Sequence, residues 1–239
     1  MIGCLTTMSH DVWGFFKRIG ARVVRSTSPT LEGIDFVVLG LGNPGSEYLD
    51  TRHNVGSNVV RRFARERNSR LRRIGRLVRV ARIELNGSGI DGQTETISVL
   101  AGIPTTFMNE SGSAAAWLLE RCGVSPECLM VVHDDLDLPL GTVRFKFGGG
   151  SGGHRGVESV IKALGTYSFQ RLRIGIGRPP AGEEPVDYVL GPFAPEERDL
   201  ADQSSARAAE AIEYALIHGI DAAMNLYNSG ADAESGVPG

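Results

Sequence analysis

The sequence is poor in cysteine and contains no long apolar run. Its three cysteines, Cys4, Cys122 and Cys128, give no disulfide framework, and none forms a Cys-x-x-Cys pair of the metal-binding kind. No apolar stretch approaches the roughly 18 residues that a membrane helix requires. We therefore expect a protein of the reducing cytoplasm with no membrane contact.

Lysine is also scarce, and the charges are unevenly distributed. The chain has 3 lysines against 22 arginines, with a formal net charge of −3. Arg61–Arg82 holds ten arginines and one acid, whereas the stretch from Glu183 to the C-terminus holds twelve acids and two bases. The arginine run fits either a solvated helix followed by a basic strand or a surface that faces phosphates.

The remaining composition is that of an ordinary globular protein, with 239 residues, 41% hydrophobic and 22% charged. Apolar runs that predict strands alternate with helical patterns, which indicates an α/β fold, and the hairpins indicate a mixed sheet. Strands are predicted at 35–41, 77–85, 95–101, 128–137, 142–147 and 171–177. Helices are predicted at 54–68, 109–122, 156–164 and 195–218. We expect one domain over 34–229, preceded by an arm or linker with a short amphipathic helix (1–33) and followed by a disordered tail (230–239).

The stretch FVVLGLGNPGSEYLDTRHN, residues 36–54, carries the strongest chemical signal. An apolar run ends in a glycine-rich turn with Asn43, and His53 follows, the side chain best suited to move protons near neutral pH. GLGNPG also fits the G-x-G-x-x-G fingerprint of dinucleotide-dependent oxidoreductases. Pro44 within the turn and the late start of the next helix disfavour that alternative.

A second signal is HDDLD at 133–137, where the predicted buried strand 128–137 ends in acids. A carboxylate that accepts from one imidazole nitrogen raises the basicity of the other, so Asp134 and His53 would form a pair that activates water. An acidic turn or a metal site are the alternatives, although further metal ligands are not evident. Asn109, in PTTFMNESG, is either a helix N-cap or a carboxamide donor to a substrate carbonyl.

Four ordered motifs resemble those of the bacterial-type peptidyl-tRNA hydrolases, over about Asp35 to Asn228. They are GLGNPGSEYLDTRHNVG, PTTFMNESG, HDDLDLPLGTVRFKFGGGSGGHRG and FQRLRIGIGRP. The resemblance implies hydrolysis of the ester between a peptide and the 3′ end of tRNA, which frees tRNA from stalled translation. It also implies a single α/β domain, with a twisted mixed β-sheet between helices, that works as a monomer without metal or cofactor.

The resemblance further implies a role for individual residues. His53 would be the general base and Asp134 its orienting partner. Substrate-binding roles would fall on Asn43, Tyr48, Met108, Asn109 and Arg155. Binding of the tRNA 5′ phosphate would fall on Arg144, Lys146 and Arg173, and residues 186–191 would form a lid over the cleft.

One position departs from the family pattern. Arg155 stands where the family typically has an asparagine that positions water, and arginine offers no acceptor to that water. Arg155 is instead suited to clamp a phosphate or the terminal adenosine, so we expect reduced or altered hydrolase activity. A catalytically weakened or inactive RNA-binding relative, similar to organellar splicing cofactors of this fold, is the alternative function.

Overall fold

The computed structural model describes residues 31–88 and 94–229. The predicted tail, most of the predicted arm, and the tip of the turn between the second and third predicted strands lie outside the described residues. Within the described part, none of the helices combines the length and the apolar composition that crossing a bilayer would require.

The core of the fold is a seven-stranded mixed sheet, as the alternation of strands and helices predicts. The strands are β1 (Phe36–Gly40), β2 (Arg72–Ile74), β3 (Val78–Ser88), β4 (Thr94–Pro104), β5 (Leu129–Asp135), β6 (Val143–Phe147) and β7 (Gln170–Gly175). They are arranged in the order β2-β3-β4-β1-β5-β7-β6. The central strands β4, β1, β5 and β7 are parallel, while β2, β3 and β6 are antiparallel additions at the two edges.

Six helices cover both faces of the sheet in the described part of the chain. They are α1 (Val55–Glu66), α2 (Ser111–Cys122), α3 (Arg155–Leu164), α4 (Pro185–Leu190), α5 (Arg198–His218) and α6 (Ile220–Asn228). One apolar core joins the sheet to α1, α5 and α6, and a second joins it to α2 and α3. Both faces of the central strands are therefore buried, which explains why β1 reads as a continuous apolar run.

Three elements were not predicted from the sequence. Strand β2 contains two exposed arginines and so lacks an apolar pattern. The six-residue α4 was expected only as a lid, and α6 follows directly after Gly219, whose φ of 88° ends α5. A chain that turns at one left-handed glycine and resumes as a helix gives no separate start signal.

Two glycines bring α1 into close contact with the sheet. A Cβ atom at Gly56 would lie 2.2 Å from the carbonyl oxygen of Val132, and one at Gly40 would lie 2.4 Å from the carbonyl oxygen of Gly56. Because no larger residue fits these positions, the start of α1 rests directly on β1 and β5. This contact places the turn before α1 beside the end of β5.

Candidate active site

A cleft of about 900 Å³ lies outside the carboxyl ends of the parallel strands. Ligands of α/β sheets generally bind outside the carboxyl ends of the strands. Eight of the predicted site residues line the cleft, namely Asn43, His53, Met108, Asn109, Asp134, Lys146, Arg155 and Arg173. The other two do not: Tyr48 ends a 3-10 turn at Ser46–Tyr48, and an Nη of Arg144 lies 3.4 Å from the carbonyl oxygen of Asn228 on α6.

His53 and Asp134 are in direct contact at the floor of the cleft. His53 lies in a 3-10 turn immediately before α1, and its Nδ1 is 3.0 Å from each carboxylate oxygen of Asp134. The carboxylate can only accept, so Nδ1 carries the proton and Nε2 of His53 is the basic nitrogen. The side chain of Asp134 is 3% exposed, which shields its carboxylate from water.

His154 contributes a second imidazole to the same carboxylate. Its Nε2 lies 2.9 Å from Oδ1 of Asp134, while its Nδ1 accepts from the backbone amides of Gly156 at 3.1 Å and Val157 at 3.2 Å. His154 thus caps the N-terminus of α3. Two amide donors on Nδ1 fix the proton on Nε2, so His154 donates to Asp134 through Nε2.

His154 was not predicted as a site residue, although the sequence contains a signal for it. Histidine is not among the usual N-cap residues, and here it follows a glycine-rich loop at the start of a helix. A histidine at that position is better suited to a polar partner at the end of a neighbouring strand than to capping alone.

The charge of Asp134 is stabilised against its burial. Burial raises the pKa of this carboxyl, but His154 and His53 outweigh burial and hold the pKa below its ordinary value. The neighbouring His133 is fully buried. Burial is the larger cause and the proximity of His154 the smaller cause that lower the pKa of His133 to about 3. His133 is therefore neutral, and its Nδ1 lies 2.6 Å from the backbone oxygen of Asp134, to which it donates.

The same three side chains are the group of described residues that could hold a metal ion. Donor atoms of His53, Asp134 and His154 all lie within 4.8 Å of one another. However, both imidazoles direct a protonated nitrogen at the carboxylate, whereas a metal needs deprotonated nitrogens directed at the ion. The hydrogen-bond pattern favours a proton-transfer site over a metal site.

Two carboxamides stand at the wall of the cleft. Oδ1 of Asn43 accepts from the amide of Met108 at 2.8 Å, so its Nδ2 remains as a donor toward the cleft. The side chain of Asn54 holds the turn of Asn43 in place. It accepts from the backbone amide of Asn43 at 2.7 Å and donates to the backbone carbonyl oxygen of Asn43 at 2.9 Å. Asn109 is exposed within a 3-10 turn, Met108–Glu110, and does not cap α2, so the N-cap alternative is wrong.

Basic side chains form one side of the cleft. Arg173 pairs with Asp135 at 2.6 Å, and Arg178 pairs with Asp137 at 2.5 Å. These pairs show that the acids after Asp134 form an acidic turn neutralised by arginine. Among the described residues, Lys146 has no carboxylate partner within ion-pair distance.

Arg171 was not predicted as a site residue, and its contacts support the structure of the cleft wall. Its guanidinium is almost fully buried and donates to the carbonyl oxygens of Gly149 and Gly150. It therefore fixes the glycine-rich loop that precedes His154 and forms part of the cleft wall.

A second unanticipated arginine connects α4 to the turn of His53. Arg52 is buried, and its Nη atoms lie 2.7 Å from the carbonyl oxygen of Pro192 and 2.8 Å from Oε2 of Glu197. Its guanidinium also lies 4.0 Å from the ring centre of Tyr188 in α4. The segment predicted as a lid is thus held against the residue that precedes the candidate base.

Comparisons with known proteins agree on one family. The family model described as Peptidyl-tRNA hydrolase matches residues 37–235. Peptidyl-tRNA hydrolase of Dehalococcoides mccartyi is 43% identical over 196 residues, which cover 81% of this chain and 99% of the relative. The corresponding protein of Aquifex aeolicus is 44% identical and covers 80% of this chain and 95% of its own. A crystal structure of peptidyl-tRNA hydrolase from Acinetobacter baumannii is similar with a TM-score of 0.70 at 32% identity, covering 82% of this chain and 96% of that one.

Proposed function

Since the chain belongs to the peptidyl-tRNA hydrolase family, whose reaction is hydrolysis of the ester between peptide and tRNA, we propose that His53 and Asp134 carry out this reaction. The observation that carries the proposal is the contact between His53 Nδ1 and the buried carboxylate, which leaves Nε2 facing the cleft as the proton acceptor. Membership of an enzyme family over most of the chain also favours a hydrolase over an inactive RNA-binding relative.

The reaction begins with a water molecule beside Nε2 of His53. Nε2 removes a proton as the water oxygen attacks the ester carbonyl, and the imidazolium that forms is stabilised by the ionised Asp134. The tetrahedral intermediate then collapses. The ester oxygen leaves as the 3′-hydroxyl or 2′-hydroxyl of the terminal nucleotide after it receives the proton back from His53, and the peptide is released with a free carboxylate.

Two carboxamides are placed to assist this attack. Nδ2 of Asn43 is fixed as a donor because Oδ1 is used by the backbone of Met108. Asn109 offers a second amide at the exposed rim, and both line the cleft that contains His53. Donors fixed before the reaction stabilise negative charge on the carbonyl oxygen as it develops. Met108 is 4% exposed and supplies an apolar wall beside them.

Recognition of the RNA part would use the basic side of the cleft. Lys146 and Arg173 lie there with Arg155. Arg144 lies on the same face of the sheet, because it is directly opposite Arg173 in the antiparallel register of β6 and β7. Arginine and lysine at this edge suit the phosphate of an acceptor end. Tyr48 lies outside this cleft wall, so we propose for it at most a contact with a substrate part that extends beyond the cleft.

We propose a monomer in the cytoplasm as the working form, which the covering of one lateral edge of the sheet supports. Strand β6 is the last strand of the sheet, and Asn228 of α6 both donates to and accepts from the backbone of Phe145. An edge covered in this way is not available for pairing with a second chain.

The function is tested with tRNA that carries an N-acetylated amino acid. The protein is expected to release tRNA and the N-acetyl amino acid at equal rates before and after treatment with a metal chelator. A rate that falls on chelation and recovers with zinc would contradict the metal-free mechanism. Tight tRNA binding without release of the acyl group would identify an RNA-binding relative.

Replacing Arg155 by asparagine is expected to raise kcat by about two- to tenfold, the worth of one added hydrogen bond to the attacking water. Arg155 lines the cleft at the first position of α3, directly after His154. Arg155→Ala is the matched control, since it removes the arginine without supplying an acceptor. Single-turnover rates of the three proteins decide the matter, and equal rates for the asparagine variant and the wild type would remove this role.

A further inference from the structure

The arginine run holds a second basic surface, separate from the cleft. Residues 61–82 contain ten arginines, and three of them are neutralised by acidic side chains. The pairs are Arg62 with Asp202, Arg67 with Glu213, and Arg82 with Glu84. Ordinary ion pairing therefore explains part of the run and leaves the rest without an account.

Four other arginines of the run lie close to one another and form what we call the arginine face: Arg61, Arg73, Arg76 and Arg79. Among the described residues, none of the four forms an ion pair with a carboxylate. Arg73, Arg76 and Arg79 are exposed, and Arg61 is half-buried. A scarcity of lysine explains the choice of arginine at these positions but not the absence of acids around them.

The positions of these arginines work against stability. Arg73 of β2 lies directly opposite Arg79 of β3 in the antiparallel register, where like charges repel. Burial and the charge of Arg79 both lower the pKa of Arg61 on α1. Nη2 of Arg73 lies 3.4 Å from the carbonyl oxygen of Arg76, which keeps these two residues adjacent. Positive charges held against one another in this way fit an anionic partner that neutralises them.

The arginine face lies near the carboxyl ends of the parallel strands, the same end of the sheet as the catalytic cleft. Val78 at the start of β3 pairs with Pro104 at the end of β4. The turn between β2 and β3 is bonded to the chain that leads into the cleft, because Oγ1 of Thr105 donates to the carbonyl oxygen of Arg76 at 2.6 Å. Strand β3 is three strands from β5, about 14 Å from Asp134 at the usual strand spacing.

We propose that the arginine face binds phosphates of the double-helical part of the tRNA substrate. This inference rests on the proposed function, and it adds a contact on the side of the cleft opposite to Lys146 and Arg173. A substrate whose 3′ end reaches His53 extends well beyond the cleft, and guanidinium groups bind phosphate oxygens in a bidentate manner. The contact would position the RNA and lower KM without taking part in the chemical step.

The test compares Arg73→Gln/Arg79→Gln with the matched double variant Arg198→Gln/Arg207→Gln, which removes the same charge from exposed positions of α5. Each protein is assayed on full-length N-acetylaminoacyl-tRNA and on the same acyl ester carried by a CCA trinucleotide. For the arginine-face variant we expect KM for tRNA to rise about tenfold, with kcat and all constants for the trinucleotide unchanged. The slope of log affinity against log salt should fall by about two, one for each lost phosphate contact.

Each outcome distinguishes the two proposals. Equal KM values for the arginine-face and control variants would overturn the RNA contact while leaving the hydrolase mechanism intact. An equal loss on tRNA and trinucleotide would also overturn it, because the substitution would then act through the cleft. If the wild type cleaved neither substrate, the catalytic proposal would fail, and the salt dependence of tRNA binding alone would still test the arginine face. Thermal unfolding at low salt checks folding, since removing the opposed arginines should leave stability equal or raise it.

Discussion

His53→Ala is expected to lower kcat for N-acetylaminoacyl-tRNA by about 10²–10⁴-fold, the usual contribution of a positioned general base. Alanine leaves no group within reach of the water to take its proton. The remaining activity would come from the fixed amide donor of Asn43 and from Asn109 at the rim, which the substitution does not touch. Affinity for tRNA is expected to stay unchanged, because the proposed RNA contacts are arginine and lysine side chains elsewhere.

The control for this substitution is His218→Ala. His218 is exposed at the end of α5 and packs against Tyr214. It is not among the residues that line the cleft. Rates under single-turnover conditions, together with tRNA binding, separate chemistry from recognition. A variant at position 53 that retained the wild-type rate would show that another group activates the water.

Most of the fold was predictable because the central strands, such as β1 and β5, are apolar on both faces. β1 and β5 are runs of buried residues, and the helical periodicity of α1 placed Val55, Val59 and Phe63 inward, where the structure has them. The elements that could not be predicted have little apolar pattern of their own. β2 is two arginines and an isoleucine added to an edge, and α6 depends on packing against α5 and β6.

The candidate site was predictable where one residue type carries one chemistry. A histidine after a glycine turn and an aspartate at the end of a strand indicated a pair, and the structure places them in contact. Residues that act by holding others were missed, because their partners are distant in sequence. Arg52 reaches Glu197, and Arg171 reaches the glycine loop, contacts that only the folded chain brings together. His154 was missed although Asp134 is only 20 residues away, because a position at a helix start does not by itself indicate a contact with that carboxylate.

Asp134→Asn is expected to lower kcat as much as removal of the base itself, by about 10²–10⁴-fold. The reason is the fixed tautomer of His154, whose Nδ1 is occupied by two backbone amides. An asparagine at this position has one acceptor oxygen, which His154 claims for its Nε2 proton. The amide nitrogen then faces Nδ1 of His53, so the proton of His53 moves to Nε2 and the basic nitrogen is lost.

A double variant tests this reasoning directly. Adding His154→Ala to Asp134→Asn frees the amide oxygen to turn toward His53, so the double variant is expected to be faster than Asp134→Asn alone. The single variant His154→Ala is the reference for any loss caused by uncapping α3. A double variant slower than Asp134→Asn would show that the tautomer of His53 is not set by this contact.

The stability of Asp134→Asn should depend on pH in a defined direction. The pKa of Asp134 is lowered in the folded protein, so its carboxylate stabilises the fold above its unfolded pKa, about 4, and this contribution is lost as pH falls through the folded value. At neutral pH the variant is expected to be about 1–3 kcal/mol less stable, since neutral hydrogen bonds replace the charge-assisted hydrogen bonds between the buried carboxylate and the two imidazoles. Denaturant titrations of both proteins should show a constant difference in unfolding free energy above the unfolded pKa and a narrowing difference in acid. A difference that widened in acid would mean that Asp134 is protonated in the native protein, and the imidazole of His53 would then have no charged partner to stabilise its protonated form.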